Sequence, residues 1–190
     1  MDNSIKRIVS FGCSATSGQG LETDNLSWPS ILGNKLNLEV DNRGIPGASN
    51  TEILYNILNY NFFETDLVVN LWTFPIRDII FNKNGFRQIG AWDNDDLIKN
   101  YFLVHSEYDI AVHSWYSIHH ATLYLDKLNL RFLNALNDYN ELIKYKPLYI
   151  DVPVCDIRIE KLKIDKASDD FHPGIKSHIN IANAILDYLI

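Results

Sequence analysis

The chain has 190 residues, of which 46% are hydrophobic, so it is long enough to bury a core, and we expect one domain over residues 1–190. Its formal net charge of -7, with no cluster of Lys and Arg, argues against a nucleic-acid-binding surface or a surface for anionic membranes. No apolar leader precedes the first predicted strand and no run is long enough to span a membrane, which predicts a soluble, cytoplasmic protein.

The first predicted strand ends in a turn of small and hydroxyl-bearing residues. Residues 8–18 read IVSFGCSATSG, an apolar β-branched run that stops at a segment presenting Ser14. A turn of this kind at the end of a parallel strand either exposes a nucleophilic hydroxyl or cradles a phosphate with backbone N–H groups. The turn therefore predicts a site at Ser14 and leaves its chemistry open.

Apolar strands alternate with amphipathic helices along the rest of the chain. Further strands are predicted at residues 38–42, 66–73 and 130–133, with residues 148–152 as a fifth strand or an edge segment. Helices are predicted after Trp28, after the capping box of Ser49 and Glu52, over residues 97–125 as one helix or two, between the last two strands, and at the C-terminus. Residues 82–96 lack periodicity and are expected to form a surface excursion. This alternation predicts an α/β fold, a three-layer αβα sandwich around a flavodoxin-like parallel sheet of order 2-1-3-4-5.

The carboxyl ends of parallel strands meet at one edge of a sheet, where functional groups gather. Ser14, the glycine turn ending at Gly47, and Thr73 each follow a predicted strand, and Asp169 and His172 precede the last helix. The spacing of Asp169 and His172 can set a carboxylate against one imidazole nitrogen while the other nitrogen faces a serine. Backbone N–H groups at Ser14 and Gly47 are then available to hold an oxyanion. Taken singly, these residues are ordinary for loops, turns and helix caps.

Other polar residues are interpreted as structural. Cys13 and Cys155 lie at the ends of predicted strands and are expected to be free thiols. The acidic cluster at residues 93–96 is typical of a solvated loop and a helix N-terminus rather than a cation site. The helical histidines show no metal-ligand pattern and are expected to be structural or solvated: His105, His113, His119, His120 and His178. Three aromatic side chains near the predicted site are expected in the core, with the lining of an apolar or sugar-binding pocket as the alternative: Trp72, Phe74 and Trp92.

Several blocks, in this order, resemble the SGNH (GDSL-type) hydrolase superfamily over nearly the whole chain. They are Phe11-Gly12-Cys13-Ser14, Trp28-Pro29, Asn42-x-Gly44-x-x-Gly47-x-x-Asn50, the strand ending at Trp72-Thr73, and Asp169-x-x-His172-Pro173. The resemblance implies the SGNH-hydrolase fold, with Ser14 as nucleophile, Gly47 as the oxyanion-hole glycine, and Asp169 with His172 as the last-block pair. The family's Gly-Asp-Ser-Leu is here Gly12-Cys13-Ser14-Ala15, which retains the serine.

The third block departs from the family pattern. The family has Gly-x-Asn-Asp there, and its asparagine donates to the oxyanion, whereas this chain continues as Trp72-Thr73-Phe74-Pro75. Thr73 is the suggested substitute donor, with Asn50 next. Loss of one such donor typically costs about 10²–10³ in rate where nothing replaces it.

The leading hypothesis is a serine esterase or acyl hydrolase, such as a carbohydrate or lipid O-deacylase. Ser14 attacks the ester carbonyl, His172 takes and returns the proton, and Asp169 orients His172, with no cofactor or metal. The same acyl-enzyme would also serve acyl transfer to a sugar hydroxyl. Two other classes stay open: a flavodoxin-like module that binds the phosphate of a nucleotide or flavin at the Ser14 loop, and an inactive relative with a binding or structural role.

Overall fold

The computed structural model describes residues 5–90 and 92–190, without the side chain of Leu97. Residues 1–4, where the sequence predicts no apolar leader, lie outside the described residues. The strands are β1 (Arg7–Gly12), β2 (Glu39–Gly44), β3 (Asp66–Trp72), β4 (Arg77–Asn82), β5 (Gly85–Gly90) and β6 (Arg131–Leu136). Strands β2, β1, β3 and β6 form, in that order, a parallel sheet. The predicted order of the first four parallel strands is therefore confirmed.

Helices cover the sheet. They are α1 (Ser14–Ser17), α2 (Trp28–Leu36), α3 (Asn50–Leu58), α4 (Asp96–Val104), α5 (Glu107–Lys127), α6 (Tyr139–Lys144), α7 (Ile159–Leu162) and α8 (Ile175–Leu189). Helix α2 packs with α8, and α3 packs with α5. Helix α2 connects β1 to β2 in one direction along the sheet, whereas α3 and α5 lead to β3 and β6 in the other direction. Because such crossovers are right-handed, α2 lies on the opposite face of the sheet from α3 and α5. The result is the predicted three-layer α/β class.

The two central strands carry the core. Every residue of β3 is buried, and in β1 only Arg7 is partly exposed. Strands that are covered on both faces need continuous apolar runs, which is the pattern the sequence has there. Strand β2 lies at an edge and is partly exposed along its length. The apolar pattern of the sequence thus distinguishes central strands from the edge strand.

The predicted fifth strand of the sheet is not formed, and a single β-bridge between Ala135 and Cys155 takes its place. Residues 148–152 form no strand, and the chain first pairs with β6 where Cys155 N–H donates to Asn134 O at 2.9 Å. Pro147 and Pro153 flank this segment, and because proline has no backbone N–H, it weakens a ladder at both ends.

Strands β4 and β5 form an antiparallel hairpin, whose turn and second strand lie in residues 82–96, the region that the sequence predicts to be an irregular surface excursion. Phe81 and Phe86 of the hairpin pack on Tyr55 of α3, with ring centroids 6.0 and 5.6 Å from that of Tyr55. The hairpin has no clear signal in the sequence, because polar residues interrupt its apolar ones and its aromatic contacts are made with a distant helix. Arg77, the first residue of the hairpin, lines the cavity described below.

The region over residues 97–125 forms two helices, which was one of the two predicted alternatives. Helix α4 ends at Val104, and Ser106 begins α5 by accepting a hydrogen bond from Asp109 N–H at 3.2 Å. Cys13 and Cys155 are both free and buried. Among residues 5–90 and 92–190, no helix is long and apolar enough to cross a bilayer.

His178 connects two helices on one face of the sheet. Its Nδ1 accepts a hydrogen bond from Trp28 N–H at 3.0 Å, and its side chain is fully buried. Burial lowers the pKa of His178 from its ordinary 6.5 to about 4, because the charged form would lose solvation. His178 is thus a structural residue, as the sequence analysis expected.

Acid should destabilise the fold through His178. Because its folded pKa lies below its ordinary value, the unfolded state binds more protons between pH 6.5 and pH 4, so the free energy of unfolding falls as the pH is lowered through that window. The contribution is about 3 kcal/mol at most. Denaturant unfolding at pH 7 and pH 4.5 should show a smaller loss in His178→Gln than in wild type. His120→Gln, on the exposed side of α5, is the control, and an unchanged loss in His178→Gln would contradict this assignment.

Candidate active site

Strand register brings the predicted site segments to one edge of the sheet. Gly12, the last residue of β1, pairs with Gly44 of β2 and with Leu71 of β3. Trp72 of β3 pairs with Leu136 of β6. The segments that follow these strands therefore leave the sheet side by side, as the sequence predicted for the first three.

The turn that carries Ser14 is held by close backbone packing. A Cβ atom on Gly44 would lie 2.3 Å from Ser17 N, so only glycine lets the second turn approach α1 this closely. Asn42 joins the same two segments: its Nδ2 donates to Thr16 O at 2.8 Å, and its Oδ1 accepts from Gly44 N–H at 3.0 Å. The motif that contains Asn42 in the sequence does not by itself indicate this role.

Ser14 is the first residue of α1 and is only 7% exposed. The first N–H groups of a helix have no partner within the helix, and the Ser14 N–H has no acceptor among the described residues. The Ser14 hydroxyl is in hydrogen-bond contact with Cys13 Sγ at 4.0 Å. Ser14 thus combines a hydroxyl with a free backbone donor.

Asp169 and His172 form a compact hydrogen-bonded pair. Asp169 Oδ1 accepts from the backbone N–H groups of Phe171 and His172, both at 3.0 Å, and its Oδ2 lies 2.6 Å from His172 Nδ1. The His172 backbone, the His172 ring and the Phe171 backbone together lower the pKa of Asp169 to about 2. A carboxylate can only accept, so Nδ1 carries the proton and Nε2 is left as the ring acceptor.

The loop that carries Asp169 and His172 packs against the loop that follows α1. The Ser168 N–H and hydroxyl both donate to Gly20 O, at 3.2 and 2.8 Å. Gly20 has a φ of +85°, and a Cβ there would lie 2.7 Å from Asp169 Oδ2. The segment carrying Asp169 and His172 is therefore positioned against the segment carrying Ser14, a contact that the sequence pattern does not reveal.

Ser14 and His172 line the same cavity, which has a volume of about 590 Å³. No hydrogen bond joins the Ser14 hydroxyl to the His172 ring in the described chain, and catalytic contacts of this type are often long before substrate binds. Further lining residues come from the hairpin region, from the segment after β6 and from the segment after α7, and include Phe74, Arg77, Trp92, Asn137 and Lys163. Of the three aromatic residues considered from the sequence, Phe74 and Trp92 line this cavity and Trp72 is in the core.

The other predicted oxyanion residues are Gly47, Asn50 and Thr73, and their contacts are with neighbouring segments. The Asn50 amide bonds to the Thr73 backbone at both ends, accepting from Thr73 N–H at 2.8 Å and donating to Thr73 O at 3.1 Å. The Thr73 hydroxyl accepts from Arg77 at 3.2 Å. Gly47 has a φ of +79° and faces Gln88 of the hairpin. None of Gly47, Asn50 and Thr73 is among the residues that line the cavity.

Asn137, Arg77 and Lys163 were not identified from the sequence. The predicted fourth strand ends at Leu133, but β6 continues to Leu136, which places Asn137 at the edge of the sheet beside the cavity. A longer strand assignment would have found Asn137. Arg77 and Lys163 carry no local signal, since their position depends on the hairpin and on the loop after α7.

The described residues contain no metal-ligand cluster. No group of three or more His, Cys, Asp or Glu side chains is placed to hold a metal ion in residues 5–90 and 92–190. In the acidic cluster at residues 93–96, Asp93 and Asp95 form ion pairs with Arg87 at 2.9 and 3.1 Å. Asp96 begins α4.

No protein-family model matches the sequence, and no curated protein matches it. The fold is similar to that of several solved structures. TesA superposes with a TM-score of 0.62 at 12% identity, covering 97% of this chain and 98% of that chain. The psychrotrophic esterase EstA from Pseudoalteromonas sp., in a structure inhibited by monoethylphosphonate, has a TM-score of 0.60 at 12% identity and covers 97% and 96%. AlinE4, an SGNH-hydrolase family esterase, has a TM-score of 0.54 at 15% identity and covers 100% and 97%. The chain has the SGNH-hydrolase fold.

Substitution of Gly20 should disrupt the Asp169–His172 pair. In Gly20→Ala, the new methyl group meets Asp169 and the positive φ adds about 1–2 kcal/mol of strain. Asp169 should lose hydrogen bonds, and its pKa should rise from about 2 toward the ordinary value, which a ¹³C NMR titration of its carboxyl group would follow. Gly85→Ala is the matched control, because Gly85 has a φ of +127° and no atom within 4 Å of a new Cβ. An unchanged Asp169 titration in Gly20→Ala would contradict the docking role of Gly20.

Proposed function

We propose that this chain, whose fold is that of the SGNH hydrolases, is a serine esterase or acyl hydrolase. The observation that carries the proposal is that His172, which is bound to Asp169, lines the same cavity as Ser14. A serine and a histidine in one cavity, with a carboxylate bound to the histidine, form the set that activates a hydroxyl for acyl transfer. The fold resemblance to esterases such as EstA and AlinE4 supports the same class.

In this mechanism Ser14 attacks the carbonyl carbon of the ester. The Ser14 proton passes to His172 Nε2 as the new Oγ–C bond forms, and Asp169 holds the resulting imidazolium through Nδ1. The bond to the alcohol then breaks, and the alcohol leaves with the proton from His172. Water then loses a proton to His172 as it attacks the acyl carbon, the Oγ–C bond breaks, His172 returns the proton to Ser14, and the acid leaves. A sugar hydroxyl in place of water would make the same site an acyltransferase.

Backbone N–H groups at the start of α1 supply part of the oxyanion site in this proposal. The Ser14 N–H, which has no acceptor in the described chain, is the first donor, and Gly47 N–H is the second, as the family resemblance implies. Thr73 and Asn50 remain proposed contributors, with Asn50 positioning the Thr73 backbone through two hydrogen bonds. Asn137, which lines the cavity, is a further amide that can serve in place of the third-block asparagine.

The other two classes predict different behaviour. A module that binds a nucleotide or flavin phosphate has no use for a carboxylate-bound histidine beside Ser14, so the Asp169–His172 contact favours the hydrolase. An inactive relative would keep the fold and lose the chemistry. We further propose a small-molecule, glycan or lipid ester as substrate, a cytoplasmic location, and catalysis without a cofactor.

Replacement of the nucleophile should abolish hydrolysis. Ser14→Ala and His172→Ala should each lower kcat for a short-chain aryl ester by a factor on the order of 10⁴ or more, because residues that act as one unit are not additive. Asp169→Asn should lower kcat by a smaller factor. Initial rates on 4-nitrophenyl acetate, together with labelling by a fluorophosphonate and location of the modified residue, measure these effects.

Two matched variants serve as controls. Ser17→Ala removes a hydroxyl from the same helix, and Asp170→Asn changes the neighbouring carboxylate while tolerating its φ of +57°. Both should keep most of the activity. A folded wild-type protein that neither hydrolyses a panel of esters nor reacts with the fluorophosphonate would contradict the proposed function, as would labelling at a residue other than Ser14.

A further inference from the structure

Two cationic side chains of the cavity share one aromatic ring. The guanidinium carbon of Arg77 lies 5.3 Å from the ring centroid of Phe74, and Lys163 Nζ lies 5.4 Å from the same centroid. Arg77, Lys163 and Phe74 all line the cavity that contains Ser14 and His172. The cavity therefore concentrates positive charge in a protein with a net charge of -7.

Arg77 differs from other arginines of the chain in its partners. Arg7, Arg43, Arg87 and Arg158 each form an ion pair with an aspartate. Within the described residues, Arg77 has no carboxylate in ion-pair contact, and its contacts are the Thr73 hydroxyl and the rings of Phe74 and Trp92. Its guanidinium keeps N–H donors available for a ligand, because the aromatic faces do not accept hydrogen bonds from these donors as a carboxylate would.

Lys163 is likewise without an ion-pair partner in the described part of the chain. Burial is the main effect on its ammonium group and lowers its pKa. Cys13, Asp138 and Glu160 raise the pKa by smaller amounts, and Arg77 lowers it by the smallest amount. A partly buried cation without a paired carboxylate destabilises a fold. An anionic ligand between the two cations would offset that cost.

Asp165, the carboxylate that lines the cavity, and Asp169, which binds His172 of the lining, are already engaged. Asp165 accepts hydrogen bonds from the backbone N–H groups of Lys176 and Ser177 at 3.0 and 2.8 Å and from the Ser177 hydroxyl, which fixes it at the start of α8. Asp169 is bound to His172. Neither forms an ion pair with Arg77 or Lys163 in the described chain, and Asp138 and Glu160 act on Lys163 without ion-pair contact.

The rim of the cavity is apolar. Four exposed hydrophobic residues lie on it, with Phe171 the most exposed at 84%: Ile76, Trp92, Ile164 and Phe171. Exposed apolar side chains around a cavity favour an organic ligand over a free inorganic ion. The rim and the two cations together define a ligand with an apolar body and an anionic group.

We propose that the substrate is an anionic ester, whose carboxylate, sulfate or phosphate group binds between Arg77 and Lys163 while its ester carbonyl lies at Ser14. This inference rests on the proposed esterase function and adds the substrate class. Arg77 and Lys163 are specificity-determining residues in this arrangement: guanidinium and ammonium groups make charge-assisted hydrogen bonds to the anion, and the aromatic ring beneath them fixes their positions.

Matched pairs of esters test whether the protein prefers an anionic ester to a neutral one, and whether the anion belongs on the alcohol side or the acyl side of the substrate. The probes are 4-acetoxybenzoate against its methyl ester, with the anion on the alcohol side, and mono-4-nitrophenyl succinate against 4-nitrophenyl pentanoate, with the anion on the acyl side. Wild type should favour the anionic member of at least one pair in kcat/KM. Arg77→Gln and Lys163→Gln should each lower that anionic-to-neutral ratio about 10- to 100-fold.

Lys163→Arg should retain most of the preference, because it keeps the charge, whereas a lysine acting as a proton acceptor could not be replaced in this way. Lys161→Gln on α7, outside the cavity lining, is the matched control and should leave the ratio unchanged. A wild type with no preference for either anionic ester, or a preference that survives both glutamine variants, would overturn the proposal.

Binding measured without turnover separates this inference from the proposed function. Calorimetric titration of Ser14→Ala with 4-acetoxybenzoate and with mono-4-nitrophenyl succinate should show that at least one of the two esters binds. The dissociation constant of that ester should be larger in the double variant Ser14→Ala/Lys163→Gln. Such binding in a protein whose wild type hydrolyses no ester would support the anion site and contradict the esterase. Hydrolysis of neutral esters without anion binding would support the esterase and contradict the anion site.

Discussion

The candidate site depends on the direct contact between the Gly44 turn and the short helix that begins at Ser14. No side chain fits between these backbones, since a Cβ on Gly44 would overlap Ser17 N. Asn42 then bonds to both segments with one amide group. The ends of β1 and β2 and the helix α1 are thereby held as one unit. The position of Ser14 is therefore fixed by the packing of the sheet and does not depend on a flexible loop.

The other half of the site is attached to the same unit. The loop with Asp169 and His172 is closed by a bridge between Lys166 and Pro173 and is bonded to Gly20 just beyond α1. Its far end leads into α8, which His178 ties to α2. Ser14 and His172, which lie about 150 positions apart in the sequence, are therefore held at one cavity by backbone and buried hydrogen bonds. Such bonds fix the geometry of a site better than exposed ion pairs do.

The hairpin of β4 and β5 occurs where the chain departs from the family's third block. Thr73 leads into Phe74 and Pro75, and the hairpin begins at Arg77. This region contributes Phe74, Arg77 and Trp92 to the cavity. The cationic and aromatic wall of the cavity thus follows from the path that the chain takes after β3.

The sequence by itself determined the parallel sheet, the position of Ser14 at the end of β1 and the identity of the Asp169–His172 pair, because apolar periodicity, glycine turns and short spacings are local signals. It did not determine the hairpin, the end of β6 or the reduction of the fifth strand to a bridge at Cys155. Those features depend on contacts between distant segments. Only the tertiary structure decided that Gly20 supports Asp169 and that Arg77 and Lys163 face one cavity, because no spacing along the chain encodes which surface side chains meet after folding.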